Sequence, residues 1–214
     1  MANALMTWLN YLLVPYATRK SMILETQVAT QQGVQTHDVM SYLSTIKCYA
    51  NHHKQAIYAL QRDQMKGFDY LHPQGFYDAI IAYGLPQDIT KLDKATKKDT
   101  KVFIWTALGS TGLLVINGVT KQGSPLSPIK STLTTSLGHW YLDDLAGNSP
   151  DTLIIRSKVH CEDKGRHTPD DLLQIPVMMV EATDDSYLFA LTLQTLHKFC
   201  LEMEQFQYAY GWQN

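Results

Sequence analysis

The chain has 214 residues, 45% of them hydrophobic, with 18 Lys and Arg against 20 Asp and Glu for a net charge of −2. This is enough apolar mass for one large domain, or one domain with extensions. It excludes recognition of nucleic acid by bulk positive charge, because polynucleotide affinity leans on Lys and Arg at phosphates.

Ala4 to Val14 is apolar, but it lacks a basic leader, is interrupted by Asn10 and is too short to cross a bilayer; it is expected to be an exposed or partner-bound helix. Thr36 then caps a helix whose apolar positions Val39, Met40, Leu43, Ile46 and Ala50 recur at helical spacing. That helix runs to His52-His53, cations suited to a helix C-terminus. Ala56-Ile57-Tyr58-Ala59-Leu60 follows as a buried strand leading to Asp63. One helix opens at Pro73 and closes at Gly84, and another opens at Pro86. The second presents Lys91, Lys94 and Lys98 on one face, read first as a solvated face and second as a contact to a polynucleotide backbone.

Lys101 to Thr106 and Leu113 to Ile116 read as a strand pair around Gly109-Ser110, and a long helix follows Pro125. Asn148 to Leu173, with its Gly, Pro and charge content, reads as a surface insertion. Inside it, Thr168-Pro169 is a helix start whose first turn accommodates Asp170-Asp171. Val177 to Val180 and Tyr187 to Ala190 are strands flanking a tight turn at Asp184-Asp185. The last helix places Leu193, Leu196, Phe199, Cys200, Met203 and Phe206 on one face as a core stripe. The order β-α-α-β-β-α-β-β-α predicts an α+β fold, an antiparallel sheet backed by helices.

The acids at strand ends carry the chemistry. Templated nucleotidyl transfer uses two divalent cations about 3.5–4 Å apart. Hard Mg²⁺ takes oxygen ligands and keeps several waters, so one or two carboxylates per ion suffice. Neighbouring strands lie about 4.8 Å apart, so Asp63, Asp184 and Asp185 can share a metal pair if their strands are adjacent. Cys48, Cys161 and Cys200 are far apart and odd in number, which implies no disulfide framework and suits a reducing compartment. His160, Cys161 and His167 come nearest to a zinc cluster but lack a fourth ligand and a recognised spacing.

Three boxes stand in sequence: Asp63-Gln-Met-Lys-Gly-Phe68-Asp69 with Gly84-Leu-Pro86 downstream, Gly118-Val-Thr-Lys-Gln122-Gly123-Ser-Pro125-Leu-Ser-Pro128, and Ala182-Thr183-Asp184-Asp185. In this order they resemble the palm of a reverse transcriptase of the non-LTR, LINE-like retrotransposon class. Gln27, Gln31-Gln32-Gly33 and Thr36-His37-Asp38 are similar to the stretch before the family's first box, so the resemblance spans about Gln27 to Asn214. It implies that Asp63 and Asp184 bind Mg²⁺ or Mn²⁺ with Asp185 assisting, the three forming the catalytic and metal-binding set. It implies too that Phe68 packs under the nucleotide sugar and that Gln122 and Gly123 border the incoming nucleotide and template. The implied partners are an RNA template, a DNA primer and a dNTP, with no membrane. The implied compartment is intracellular, cytoplasmic or nuclear.

Two positions depart from the family pattern. Ala182 stands where an aromatic is usual, and Lys121 replaces an Arg, keeping the charge but losing the bidentate fork. Tyr141-Leu-Asp143-Asp144 mimics the tyrosine-x-Asp-Asp box in its letters, yet falls within a continuing helical stretch from Ser127 to Ala146 with no strand before it. The resemblance further implies a palm with truncated fingers and no thumb: residues 1–35 an N-terminal helical extension or fingers remnant, and residues 36–214 a palm-like domain cut off in its fourth box, where Phe206 to Asn214 matches the start. The other reading is a catalytically inactive palm remnant that docks a protein through exposed palm surfaces.

Overall fold

The computed structural model describes residues 2–28, 31, 33–63, 70–98, 100–116, 120, 123–158, 172–182 and 185–212. In chain order the elements are α1 (Ala2–Arg19), α2 (Thr36–His53), β1 (Tyr58–Asp63), α3 (Pro73–Ala82), α4 (Asp88–Lys97), β2 (Thr100–Val102), β3 (Trp105–Thr106), β4 (Gly109–Ser110), β5 (Leu114–Ile116), α5 (Ser127–Gly147), β6 (Leu153–Lys158), β7 (Leu172–Val177), β8 (Met179–Ala182), β9 (Asp185–Ala190) and α6 (Leu193–Ala209). The architecture is mixed α and β, with small antiparallel sheets.

The sheet that organises the molecule has the order β1-β9-β8, every pair antiparallel. Side chains alternate across a strand, so central β9 sends Leu188 and Ala190 to one side and Tyr187 and Phe189 to the other. The first side packs on α5 and α6, where Leu142, Ala146, Leu196, Phe199 and Met203 close one core. The second packs under α2 and the β6–β7 hairpin, where Ile46, Leu153, Val177, Val180 and Phe189 close another. Burial on both sides makes β9 read as an apolar run, as a central strand should.

A third core joins Met6, Leu9, Leu13 and Ala17 of α1 to Phe76, Ala79 and Ile80 of α3 and to Ile129 and Leu133 of α5. The long helix α5 therefore serves two cores along its length. Two of its buried hydroxyls bond within the helix: Thr134 Oγ1 donates to the Lys130 carbonyl at 2.8 Å and Thr135 Oγ1 to the Thr132 carbonyl at 3.2 Å. Gly138 lets α6 approach, since a Cβ there would lie 2.7 Å from the Phe206 ring.

A buried ion cluster ties α3, α4 and α5 together. Asp93 is paired with Lys130, meets Lys97 Nζ at 3.1 Å and accepts from the Tyr77 hydroxyl at 3.0 Å. Burial pushes the Asp93 carboxyl up, but the charges and hydrogen bonds of Lys130 and Lys97 outweigh it and hold the group below its ordinary value of 3.8.

The sequence expectations hold for the helices and shift at the strands. α2 starts one residue earlier than expected: Gln35 is the cap, its N–H donating to Asp38 Oδ2 at 2.8 Å, and Thr36 is the first helical residue. The strand before Asp63 is not buried. β1 begins at Tyr58, and its position at the sheet edge leaves Tyr58, Ala59 and Gln61 exposed. The Asn148 to Leu173 insertion is also corrected, because its Leu153–Lys158 segment pairs with β7 over a six-residue register; Asp170-Asp171 and the His160, Cys161, His167 set lie outside the described residues.

Val177 to Val180 divides between β7 and β8, and Asp185 opens strand β9 instead of standing in the turn. Leu193 is exposed at the start of α6, while Leu196, Phe199 and Met203 fill the core as expected. α1 is not simply exposed: one face is buried in the chain's own core, and Leu5, Trp8, Tyr11, Leu12 and Tyr16 line the other.

Beyond α6 the chain docks back on the segment before α3. The Tyr210 carbonyl accepts from His72 N–H at 2.8 Å, and Trp212 is buried. Gly211 makes this possible with φ +91°, and a Cβ there would sit 2.6 Å from the Tyr70 carbonyl oxygen. Gly211→Ala combines backbone strain with a backbone clash and is expected to cost about 3 kcal/mol, read as a lower urea midpoint. The Asp93 cluster gives an acid signature. A depressed folded-state pKa contributes stability that is present above the unfolded value and lost as pH falls through the folded one. Wild-type stability should therefore decline below pH 3.8 more steeply than that of Asp93→Asn, measured by urea unfolding between pH 5 and pH 2.

Candidate active site

The last residue of β1 and the first of β9 are both aspartates, and the register sets them directly opposite, Asp63 against Asp185. Facing residues of an antiparallel pair have Cβ atoms about 4.5–5.5 Å apart on one face. Like charges in that position destabilise the pair, and both residues are exposed. Among the described residues neither forms an ion pair.

Two carboxylates at this spacing are a hard oxygen donor set of the kind Mg²⁺ takes. Among the described residues no group of three or more His, Cys, Asp or Glu is placed to hold a metal. Asp184, the third expected ligand, lies outside the described residues, as do Phe68 and Gln122.

The face that carries the acids continues inward. Ala182 stands opposite Asp185 on the β8 side, and Gln61 and Val180 flank Tyr187 in the next row. Met40 and Leu43 of α2 lean over Val180, Ala182, Asp185 and Tyr187 to enclose a cavity of about 190 Å³ beside the acid pair. Ala182 lines it, in the place where the family resemblance expects an aromatic.

Gly123 is described, with φ +80° in the turn just ahead of α5. In the same box Thr120 is buried and its Oγ1 donates to the Leu71 carbonyl at 3.2 Å, tying the second box to the segment that follows the first. Asp143 and Asp144 lie on α5, as expected of a helical pair, and no strand sets them against Asp63. Burial, with a contribution from Asp144, pushes the Asp143 carboxyl up. The lysine row of α4 is largely engaged: Lys91 pairs with Asp88 at 2.8 Å, and Lys94 Nζ lies 4.7 Å over the Tyr77 ring.

Behind the acid row, on the opposite face, stands a polar row that the sequence did not disclose as a unit. Arg62, Ser186 and Glu181 follow one another across β1, β9 and β8, all buried. Arg62 Nη2 donates to Gln207 Oε1 of α6 at 2.7 Å. At the other edge, fully buried Glu181 accepts from Gln27 Nε2 at 2.6 Å and lies 3.2 Å from Nε2 of the equally buried His139 of α5. His139 Nδ1 meets Thr26 Oγ1 at 3.1 Å. The available signal was a charged residue inside the apolar β8 run, but its partners lie far away in sequence.

No protein-family model matches the chain, and no curated protein matches it by sequence. Solved structures do. A structure of telomerase from Candida tropicalis in complex with a TWJ fragment of telomeric RNA superimposes with a TM-score of 0.63 at 14% identity, covering 97% of this chain and 31% of that one. Apo telomerase from Candida tropicalis, truncated from its C-terminal domain, gives 0.51 at 13% identity over 97% of this chain and 38% of that one. Telomerase from Candida albicans in complex with a TWJ fragment of telomeric RNA gives 0.52 at 12% identity over 83% and 29%. The chain therefore shares a polymerase-like fold with about a third of the length of these telomerases.

Two substitutions separate the two rows. Asp63→Asn removes one of two facing charges and should raise the stability of the metal-free chain by about 0.5 kcal/mol, with a larger effect at low salt. Urea unfolding in chelator reads it. His139→Ala removes a fully buried imidazole that meets Thr26 Oγ1 and lies 3.2 Å from Glu181, and should cost about 2–3 kcal/mol in the same assay.

Proposed function

We propose that the chain is a reverse-transcriptase-type palm of non-LTR retrotransposon character that supports RNA-directed DNA synthesis at the Asp63–Asp185 edge of its sheet. The observation that carries this reading is the register of β1 against β9, which brings an acid of the first box opposite an acid of the third. The likeness to telomerase folds supports the same class.

In this reading Asp63, Asp184 and Asp185 hold Mg²⁺ or Mn²⁺, which when bound supplies activation of the primer 3′-hydroxyl and charge stabilisation at the triphosphate. The residues of the chain do the rest. The facing aspartates fix the point toward which hydroxyl and α-phosphate converge, and a rigid sheet keeps them there between turnovers. Phe68 meets the sugar, and Gln122 and Gly123 line the nucleotide and template. RNA template, DNA primer and dNTP are the proposed partners, and the compartment is intracellular, cytoplasmic or nuclear. Among the described residues, no helix is long and apolar enough to cross a membrane.

A second reading rests on a different observation. The segment from β2 to β5 exposes Phe103, Ile104, Trp105, Leu108, Leu113, Leu114 and Val115, and a concentration of exposed large apolar side chains is a feature of protein docking surfaces. It favours a non-catalytic palm acting through its surfaces.

Primer extension on an RNA template, with Mg²⁺ or Mn²⁺, separates the two. The polymerase reading predicts extension by the wild type and a loss of at least about 100-fold in Asp63→Asn and in Asp184→Asn, the scale on which single positioned electrostatic groups act. No extension by a cooperatively folded wild type would favour the docking module.

A further inference from the structure

We infer that Glu181 and His139 are positioning residues that lock the register of the acid-bearing β8–β9 hairpin; the role rests on the metal-site reading above. β8 is a short edge strand of four residues. Slipping such a strand by one residue exchanges its two faces. The ladder would then be remade, with Glu181 instead of Ala182 brought beside Asp185 on the face that Asp185 shares with Asp63.

Apolar contacts oppose that slip weakly, because Met178, Met179 and Val180 are of similar size and all buried. A buried carboxylate opposes it strongly, since only one register gives it partners. In the observed register Glu181 Oε1 accepts from Gln27 Nε2 at 2.6 Å, and Oε2 lies 3.2 Å from His139 Nε2. Gln27 is held in turn, its Nε2 donating to Thr135 Oγ1 of α5 at 3.1 Å. His139 is fixed from behind by Thr26 Oγ1 at 3.1 Å.

The backbone of Glu181 is clamped as well. Its N–H donates to the Thr26 carbonyl and its carbonyl accepts from Val28 N–H, each at 2.8 Å, forming a parallel bridge along the free edge of β8. Side chain and main chain of one residue are thus tied to the same flanking segment and to α5. Arg62, held by Gln207 at the far side of the row, leaves β1 as the fixed reference. Neither Glu181 nor His139 faces the acids, so both act through the hairpin and not on the ion.

Groups that orient metal ligands from behind characteristically cost 10- to 100-fold in metal affinity when removed. Replacing both members of a buried polar pair with apolar residues of similar volume can be nearly neutral for stability, which permits a test of position apart from folding. Mn²⁺ binding to the full chain would be followed by electron paramagnetic resonance in the Glu181→Leu/His139→Leu double variant, in His139→Leu and in Glu181→Gln, each with its thermal unfolding curve.

The inference predicts cooperative unfolding of the double variant with Mn²⁺ affinity down at least about tenfold. It also predicts rescue to within about threefold in Glu181→Gln, which keeps the acceptor for Gln27 and the shape beside His139. Wild-type affinity in a folded double variant overturns the role. So does failure of both leucine variants to fold, which would assign the pair to stability alone. An Asp185→Asn control isolates the underlying reading: if it binds Mn²⁺ as the wild type does, the metal site itself fails, and the positioning role falls with it.

Discussion

The register of β1 against β9 is the constraint on which the rest depends. Its six facing pairs run from Tyr58 against Ala190 to Asp63 against Asp185, and period-2 geometry allows no intermediate: displaced by one residue, the acids part and the apolar set of β9 leaves its cores. The register is fixed from both sides. Leu188 and Ala190 lie against α5 and α6, while Tyr187 and Phe189 lie under α2. The polar row Arg62, Ser186 and Glu181 then specifies, with hydrogen bonds to α6 and to the segment before α2, what apolar packing leaves degenerate. The facing aspartates are held in place by the cores beneath the sheet.

Local signals were legible in the sequence where one residue decides the conformation. Pro73 opens α3, the apolar stripe of α6 falls on its core face, and Asp143-Asp144 sits within α5. Strand environment was less legible, because an apolar run does not say whether it will be central or at an edge. β1 was expected buried and is an edge strand, for among the described residues its one strand neighbour is β9. β6 was hidden because Leu153-Ile154-Ile155 is embedded in polar, turn-forming sequence and finds its partner only across a long connection.

At the candidate site, the spacing of the boxes pointed to Asp63 and Asp184 with Asp185 assisting, whereas the placement of Asp63 opposite Asp185 is a property of the sheet alone. Glu181 and His139 were out of reach for the same reason. A lone acid in a strand and a lone histidine in a helix have no signature until tertiary packing buries them together. Ala182 acquires meaning only in place too. Small where an aromatic is usual, it lines the cavity that α2 roofs beside Asp185, so the departure read from sequence becomes space next to the acid pair.

The central claim is that the two aspartates brought together by this register form a divalent-cation site. Anomalous diffraction from crystals of the chain soaked in Mn²⁺ tests it most directly. The account predicts an anomalous peak within coordination distance, about 2.0–2.6 Å, of carboxylate oxygens from both Asp63 and Asp185. A well-ordered β1–β9 edge with no peak there, or with manganese bound only elsewhere, would contradict it.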